Sequence, residues 1–205
     1  MSEKVRSDYL PVDKYIKRGE GGGTWYDNFH KPNIASYKRC DHEPKAIFKI
    51  GNTTIWASDK YGADNFNKNG LVVSLGVDGP ETISLSGEAT LVSCLNKHLK
   101  QVQLKFLYIP WNDGSSPPIK STFWVALFDS IKNQTIKDVL FHCQGGHGRT
   151  GTALSAILIA VSGFKPYDAI SFVRKNHCKK CVETNSQERY LKDLYKEVVG
   201  TKTKV

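Results

Sequence analysis

The chain has 205 residues, of which 40% are hydrophobic and 24% charged, a size and composition that favour one globular domain over two small ones. No apolar run approaches the roughly 18 residues of a membrane span, and the N-terminus has no apolar signal core, so we expect neither a membrane span nor export, and the cytoplasm is the expected compartment. The formal net charge of +9 favours anionic partners such as phosphorylated protein, lipid headgroups or nucleic acid.

The cysteines indicate a reducing environment. The chain has 5 of them, Cys40, Cys94, Cys143, Cys178 and Cys181, which are too few and too irregularly spaced for a disulfide framework. At least one thiol is therefore expected to be free to react.

Residues 1–44 lack a sustained hydrophobic period and predict an irregular N-terminal extension. We predict that this extension is followed by a single domain over residues 45–200 and a basic tail over 201–205. Two strands around the turn Gly51-Asn52 predict a hairpin. The further predicted strands are 70–77, 102–110 and 137–142, and the predicted helices are 87–100, 123–133, 150–163, 165–176 and 185–198.

Several residues mark helix ends. Ser121 or Thr122 is predicted to cap the second of these helices, and Gly163 to end the third. Pro166 lies in the first turn of the fourth, and Thr184 with Gln187 has capping-box spacing before the fifth. Strands that alternate with helices predict an α/β fold with a largely parallel central sheet covered on both faces.

The stretch "HCQGGHGRTG", residues 142–151, lies between a buried strand and the start of a helix. Unpaired N–H groups at a helix start can bind a phosphate dianion, and glycines allow the backbone to wrap around it. Arg149 can pair with two phosphate oxygens through its planar fork. Cys143 lies at the bottom of this ring, where the same dipoles favour the ionised, nucleophilic thiolate.

This stretch resembles the His-Cys-x5-Arg-Thr/Ser signature of the cysteine-dependent protein tyrosine and dual-specificity phosphatases, and the resemblance covers roughly residues 65–198. It implies a three-layer α/β/α sandwich and two-step covalent catalysis: Cys143 attacks phosphorus, and water hydrolyses the phosphocysteine. It implies no metal and no cofactor. The substrate phosphate would be held by Gln144, Gly145, Gly146, His147, Gly148 and Arg149.

The leaving oxygen needs a proton from a carboxylic acid on a neighbouring loop. Asp113, 30 residues before Cys143 in "PWNDGSSPP", resembles the family's mobile acid loop, although Asn112 departs from the familiar Trp-Pro-Asp form. Two alternatives stay open. Asp113-Gly114 could form only a turn, and Asp78 in "VDGP" is the rival acid.

Other residues have supporting roles in the resemblance. Thr150 would donate a hydrogen bond to the departing thiolate, or would only help the helix to start. His142 is expected to orient the loop, and His147 either shapes the rim of the pocket or stays solvated. Gln187 matches one water-positioning glutamine, or serves as a helix cap, while Glu183 stands where the pattern would have the other.

The "HCKKC" stretch raises the question of a metal. Cys178 and Cys181 could bind zinc together with Cys40 and His42, but the ligands come from two distant segments with an unmatched spacing. The preferred interpretation is two thiols at a helix end, with no metal.

The sequence thus predicts a phosphatase that acts on phosphotyrosine in proteins, and on phosphoserine and phosphothreonine if its specificity is dual. The same pocket could take phosphoinositides or RNA 5′ phosphates. Related lipid 3-phosphatases carry lysines in the loop, which this chain lacks, so protein substrates are favoured. A rhodanese or arsenate reductase fits the motif poorly, and a phosphoprotein-binding pseudophosphatase is the alternative from outside the enzymes.

Overall fold

The computed structural model describes residues 40–76, 106–117 and 119–202. Residues from Asp41 onward form one compact unit. The strands are β1 Lys45–Ile50, β2 Thr53–Ser58, β3 Leu71–Leu75, β4 Phe106–Ile109 and β5 Asp138–His142. The helices are α1 Lys60–Asp64, α2 Ser121–Asn133, α3 Gly148–Ser162, α4 Pro166–Asn176 and α5 Asn185–Lys202.

The sheet is mostly parallel, as predicted. Its strand order is β1-β2-β5-β3-β4, and of these pairs β1 with β2 is antiparallel while the others are parallel. The middle of the central strand β5 is apolar, with Val139, Leu140 and Phe141 fully buried. An apolar run without alternation is typical of a strand that is covered on both faces.

The predicted hairpin forms between β1 and β2. Gly51 takes a φ of 55° in the two-residue turn, a left-handed conformation that glycine adopts without a steric penalty. The turn sets the register that pairs Ile50 with Thr53.

Helix α3 is the centre of the helical layer and packs against α2, α4 and α5. Its residues from Gly148 to Ile159 are all buried, and small side chains such as Ala153 and Ala156 let the neighbouring helices approach. It ends as predicted at Gly163, which has a φ of 72°.

The predicted side-chain cap of α2 is wrong. Helix α2 begins at Ser121, and the capping position before it is held by Lys120, which makes no side-chain capping bond. The backbone N–H of Ser121 instead donates to the Glu197 carboxylate on α5, at 3.3 Å. A tertiary partner therefore replaces the local cap.

The predicted helix over 87–100, Asp78 and most of the N-terminal extension lie outside the described residues. Within the described ranges, no helix is both long and apolar enough to cross a membrane.

Candidate active site

Cys143 directly follows β5, at the carboxyl end of the middle strand of the sheet. The flanking strands β2 and β3 run parallel to β5, so the loops that follow all three strands meet at this edge. The cysteine is 2% exposed. The fold thus places the predicted nucleophile where α/β proteins build their sites.

The predicted phosphate-binding loop runs from Cys143 to the first turn of α3. Gly146 has a φ of 70°, and a Cβ there would lie 2.9 Å from the Ser58 carbonyl oxygen. A Cβ at Gly148, the first residue of α3, would meet the ends of the Glu183 and Gln187 side chains. Glycine is therefore required at position 146, where backbone atoms leave no space, while Gly148 lets the Glu183 and Gln187 side chains lie close to the start of α3.

Arg149 is buried and held in place by backbone carbonyls. Its Nη1 donates to the Gly76 carbonyl oxygen at 3.0 Å and to the Trp111 carbonyl oxygen at 3.1 Å. These carbonyls belong to the loops that follow β3 and β4. The guanidinium therefore enters the site in a fixed orientation, tied to the ends of two strands.

Asp113 meets Arg149 in the structure. Asp113 Oδ1 lies 3.1 Å from Arg149 Nε, although the N–H direction is not aligned for a hydrogen bond. The Asp113 side chain is 76% exposed, whereas that of Arg149 is 5% exposed. An ion pair of this kind fixes a position more than it adds stability, because solvent screens the exposed carboxylate.

The segment around Asp113 forms a turn, which is the alternative that the sequence left open beside the acid role. Gly114 has a φ of 68°, and the Ser115 N–H donates to the Asn112 carbonyl oxygen at 3.2 Å. The buried Trp111 indole Nε1 donates to the Ser115 carbonyl oxygen at 2.9 Å. The indole therefore holds the turn that presents the carboxylate.

Residues 183–187 connect the loop of Asp113 to α3. The Thr184 hydroxyl donates to the Gly114 carbonyl oxygen at 2.8 Å. The Gln187 Oε1 accepts from the backbone N–H groups of Glu183, at 2.8 Å, and Thr184, at 3.3 Å, while the Gln187 N–H donates to Thr184 Oγ1 at 3.3 Å. This is the predicted capping box.

Gln187 is fully buried, and its Nε2 makes no hydrogen bond within the described residues. The carboxylate of Glu183 lies beside Gly148, next to the start of α3. Burial, together with the nearby negative charge of Asp113, raises the pKa of Glu183. Capping uses only the oxygen of the Gln187 amide, which leaves the NH₂ group for a second role.

His142 is the last residue of β5 and is buried. Burial lowers its pKa to about 4, and a hydrogen bond with the Cys143 backbone acts in the opposite direction. Thr150 is fully buried, and its hydroxyl makes no hydrogen bond within the described residues. His142 directly precedes the loop, and Thr150 lies in the first turn of the helix that follows it.

His147 has neighbours that the sequence did not predict. Its ring lies against that of His42, with centroids 4.8 Å apart, and its Nδ1 is 3.7 Å from Glu183 Oε1. The pKa of His147 is lowered by burial, and that of His42 is lowered for the same reason. Both imidazoles are therefore neutral near neutral pH.

The potential metal ligands differ from the predicted set. The donor atoms of four half-buried residues lie within 4.8 Å of one another, and these residues are Cys40, His42, His147 and Cys178. Cys181 is not among them, because it is fully buried against Gly151 of α3. That burial raises the pKa of the Cys181 thiol.

Sequence reasoning missed the residues that position the site through backbone atoms. The carbonyls of Gly76 and Trp111 orient Arg149, and that of Gly114 accepts from Thr184. No residue type is required at a position that contributes only a carbonyl. Gly76 and Gly114 did give a signal, because their φ values of 66° and 68° favour glycine.

Comparison with known proteins identifies relatives that match part of the chain. A 33% identical stretch of 95 residues matches an uncharacterised protein of Methanocaldococcus jannaschii, MJ0215, and covers 46% of this chain and 58% of that protein. Phosphatidylglycerophosphatase and protein-tyrosine phosphatase 1 of Rattus norvegicus is 25% identical over 135 residues, 65% of this chain and 69% of the relative. The chain thus spans less than two thirds of the archaeal relative.

Solved structures show the same fold. The active form of Tk-PTP superposes with a TM-score of 0.50 at 24% identity, covering 74% of this chain and 96% of that one. PTPMT1 superposes with a TM-score of 0.50 at 20% identity, covering 81% and 100%. A family model described as "Swiss Army Knife protein, DSP-PTPase phosphatase domain" matches residues 87–203, which is more than half of the chain. The chain therefore belongs to the Swiss Army Knife family of DSP-PTPase phosphatase domains.

Proposed function

We propose that the chain is a cysteine-dependent phosphatase that hydrolyses phosphomonoesters in proteins, with phosphotyrosine as the first substrate class. The observation that carries this proposal is the arrangement of three groups. A loop from Cys143 to Arg149 joins β5 to α3, and Asp113 lies 3.1 Å from the arginine. A nucleophile, an anion-binding cation and an acid therefore share one loop cluster.

In the first step, the Cys143 thiolate forms the bond to phosphorus while the bond to the ester oxygen breaks. Asp113 in its acid form gives its proton to that oxygen. Arg149 and the loop amides, including those of Gly145, Gly146 and His147, stabilise the charge on the phosphoryl oxygens. Because two backbone carbonyls already orient Arg149, little of its motion needs to be frozen at this stage.

In the second step, water attacks the phosphocysteine and the sulfur–phosphorus bond breaks. Asp113, now a carboxylate, takes the proton of the water. Gln187 would hold this water through its Nε2, and the Thr150 hydroxyl would donate to the departing thiolate. Both assignments are supported by polar atoms that are buried and make no hydrogen bond within the described residues.

Phosphoinositides are the second candidate substrate. The rat relative is named as a phosphatidylglycerophosphatase as well as a protein-tyrosine phosphatase, and the net charge of +9 suits an anionic lipid surface. The loop residues between Cys143 and Arg149 include no lysine, which favours the protein substrate. The cytoplasm is the proposed compartment, supported by the absence of a disulfide among the described cysteines Cys40, Cys143, Cys178 and Cys181.

The activity is tested with p-nitrophenyl phosphate and a phosphotyrosine peptide in the absence of added metal. We expect turnover that vanadate inhibits and that Cys143→Ser abolishes. Asp113→Ala should lower kcat for the peptide while leaving binding nearly unchanged, because the acid acts mainly in the transition state. If the Cys143→Ser variant turned over substrate as fast as the wild type, the mechanism would be disproved.

The substrate class is tested with phosphopeptides, phosphoinositides and 5′-triphosphorylated RNA in parallel. A higher kcat/KM for the phosphotyrosine peptide supports the proposal. A higher value for the lipid or the RNA would replace it with that alternative. Binding of phosphopeptide without turnover would identify a pseudophosphatase.

A further inference from the structure

Four sulfur and nitrogen donors converge beside the phosphate-binding loop. They are Cys40 Sγ, Cys178 Sγ and one ring nitrogen each from His42 and His147, all within 4.8 Å of one another. The four donors come from three segments far apart in sequence, namely the chain before β1, the loop before α3 and the turn after α4. Packing of the fold, rather than local sequence, brings them together.

The two imidazoles have buried nitrogen atoms that lack hydrogen bonds. The Nε2 atoms of His42 and His147 are both inaccessible to solvent and make no hydrogen bond within the described residues. A buried polar atom that lacks a hydrogen-bond partner destabilises the folded protein. Two such atoms at the same cluster indicate that a ligand satisfies them.

The backbone around the cluster is fixed. The His42 N–H donates to the Asp59 carboxylate at 3.1 Å, and the His42 carbonyl accepts from the Asp59 N–H at 3.0 Å. Cys178 lies in a turn closed by the Cys181 N–H, which donates to the Cys178 carbonyl at 3.0 Å. Two ligands from separate parts of the fold are therefore held in place by hydrogen bonds.

His147 has the surroundings of a metal-binding histidine. Its Nδ1 is 3.7 Å from a carboxylate oxygen of Glu183, while its Nε2 has no hydrogen-bond partner. Histidines that bind metals through one nitrogen commonly direct the other toward a carboxylate, which fixes the tautomer. A small contraction of this distance would produce that hydrogen bond.

We propose that Cys40, His42, His147 and Cys178 bind a structural Zn²⁺ ion. Two thiolates and two imidazoles form a tetrahedral set that zinc prefers over the harder divalent cations, and four protein ligands close the site to substrate. Zn–N and Zn–S bonds of about 2.0 and 2.3 Å separate ligand atoms by about 3.3–3.8 Å. The donors would therefore close by about 1 Å on binding.

The proposed ion would act on the architecture of the loop and take no part in phosphate chemistry. His147 is the ligand that belongs to the loop, four residues after Cys143. His177, beside Cys178, also reaches the loop, with its Nε2 2.7 Å from the Gly146 carbonyl oxygen. Zinc would thus connect the loop to the chain before β1 on one side and to the turn after α4 on the other.

The test uses the full chain, purified without chelator from cells supplied with zinc. Elemental analysis should find one equivalent of zinc, and a competing chelator should lower the melting temperature as it removes the metal. Replacement with Co²⁺ should give the intense visible bands of a tetrahedral site and a thiolate-to-cobalt charge-transfer band. Metal-free protein that binds added zinc no more tightly than its Cys178→Ser variant overturns the proposal.

Matched variants separate this site from the catalytic one. Cys178→Ser and His147→Ala should weaken zinc binding by more than the roughly 100-fold caused by loss of an outer-shell partner. Cys181→Ser, which removes a thiol just outside the cluster, should keep the metal. Cys143→Ser should keep it too, although it removes the proposed catalysis. Zinc lost with Cys143→Ser but kept with Cys178→Ser would overturn the assignment.

Loss of zinc from a variant could also result from misfolding, so one further variant keeps a metal-binding side chain at position 147. His147→Cys replaces one ligand by another and should retain zinc and the cobalt charge-transfer band with a stronger sulfur contribution. A protein purified under reducing conditions with Cys40 and Cys178 joined in a disulfide would also overturn the proposal. Mass spectrometry of the unreduced protein measures this directly.

Discussion

The Thr184 hydroxyl donates a hydrogen bond to the Gly114 carbonyl at 2.8 Å, and so links the loop of the proposed acid to the loop of Gln187. Ser186 makes a second bond to the same carbonyl, at 3.1 Å. Asp113 immediately precedes this carbonyl. The position of the acid thus depends on a segment 70 residues later in the chain.

Thr184→Val should lower kcat by between about 5-fold and 100-fold with little change in KM, because a small displacement of the acid weakens proton transfer. The variant also loses a helix cap and about 1 kcal/mol of stability. Steady-state kinetics on a phosphotyrosine peptide and urea denaturation measure both effects. The Thr184→Ser variant, which keeps the hydroxyl, should retain the kcat of the wild type. If its kcat falls as far as that of Thr184→Val, the bond to Gly114 does not position the acid.

Gln187→Glu should slow hydrolysis of the phosphocysteine more than its formation. The substitution keeps an oxygen that can cap Glu183 and Thr184 but removes the Nε2 proposed to hold the water. Rapid-quench kinetics should therefore show a burst of product followed by a slower steady state. Gln187→Ala should show the same burst together with a loss of stability of about 1 kcal/mol. Equal slowing of both steps would argue against a role in positioning the water.

Gly76→Ala should destabilise the protein and reduce its activity. Gly76 has a φ of 66°, and an added Cβ would meet the Trp111 carbonyl and lie 2.6 Å from Arg149 Nη1. Left-handed strain alone costs about 1–2 kcal/mol, so the total loss should exceed about 2 kcal/mol. Chemical denaturation and kcat measure the two effects.

Gly163→Ala is the matched control for Gly76→Ala. Gly163 has a φ of 72°, with nothing within 4 Å of an added Cβ. We expect a loss of about 1–2 kcal/mol from strain and unchanged kcat. Similar kinetics for the two variants would show that Gly76 has no specific role at Arg149.

His142 should make stability depend on pH. Burial lowers its folded-state pKa from 6.5 to about 4, so the unfolded chain binds the proton more tightly. The contribution of His142 to the free energy of unfolding is fully present above about pH 6.5. It decreases by up to about 3 kcal/mol as the pH falls toward about 4. The nearby charges are those of Asp59 and Asp64, which favour the proton, and Lys60, which opposes it.

Urea denaturation between pH 4 and 7 measures this dependence, and His142→Gln provides the comparison. The variant should lose less stability than the wild type over this window, because its side chain does not titrate. Parallel curves for the two proteins would mean that His142 contributes nothing to the acid sensitivity.

The sequence predicted the elements whose pattern is local. The hairpin at Gly51, the end of α3 at Gly163 and the capping box of Thr184 with Gln187 depend on backbone angles or on side chains three residues apart. The strand before Cys143 and the helix after it followed from apolar runs. These features need no knowledge of the rest of the fold.

The remaining features depend on contacts between distant segments. Ser121 or Thr122 was expected to cap α2, but Glu197 on α5 accepts a hydrogen bond from the Ser121 N–H instead. His147 was expected to face the phosphate or the solvent, whereas its ring lies against His42. The sequence offered Cys40, His42 and Cys178 as possible ligands together with Cys181, but it did not predict that His147 would take the fourth position. Such groupings emerge only once the chain is folded.

Helix α3 begins at the loop that holds Cys143 and is buried through most of its length. Opening the loop by unwinding the first turn of α3 would expose residues that are buried in the folded protein. Backbone amides of this turn should therefore exchange with deuterium only through near-global opening, at rates like those of β5. The anion-binding loop is consequently preorganised in the folded protein, and phosphate binding should cost little conformational entropy.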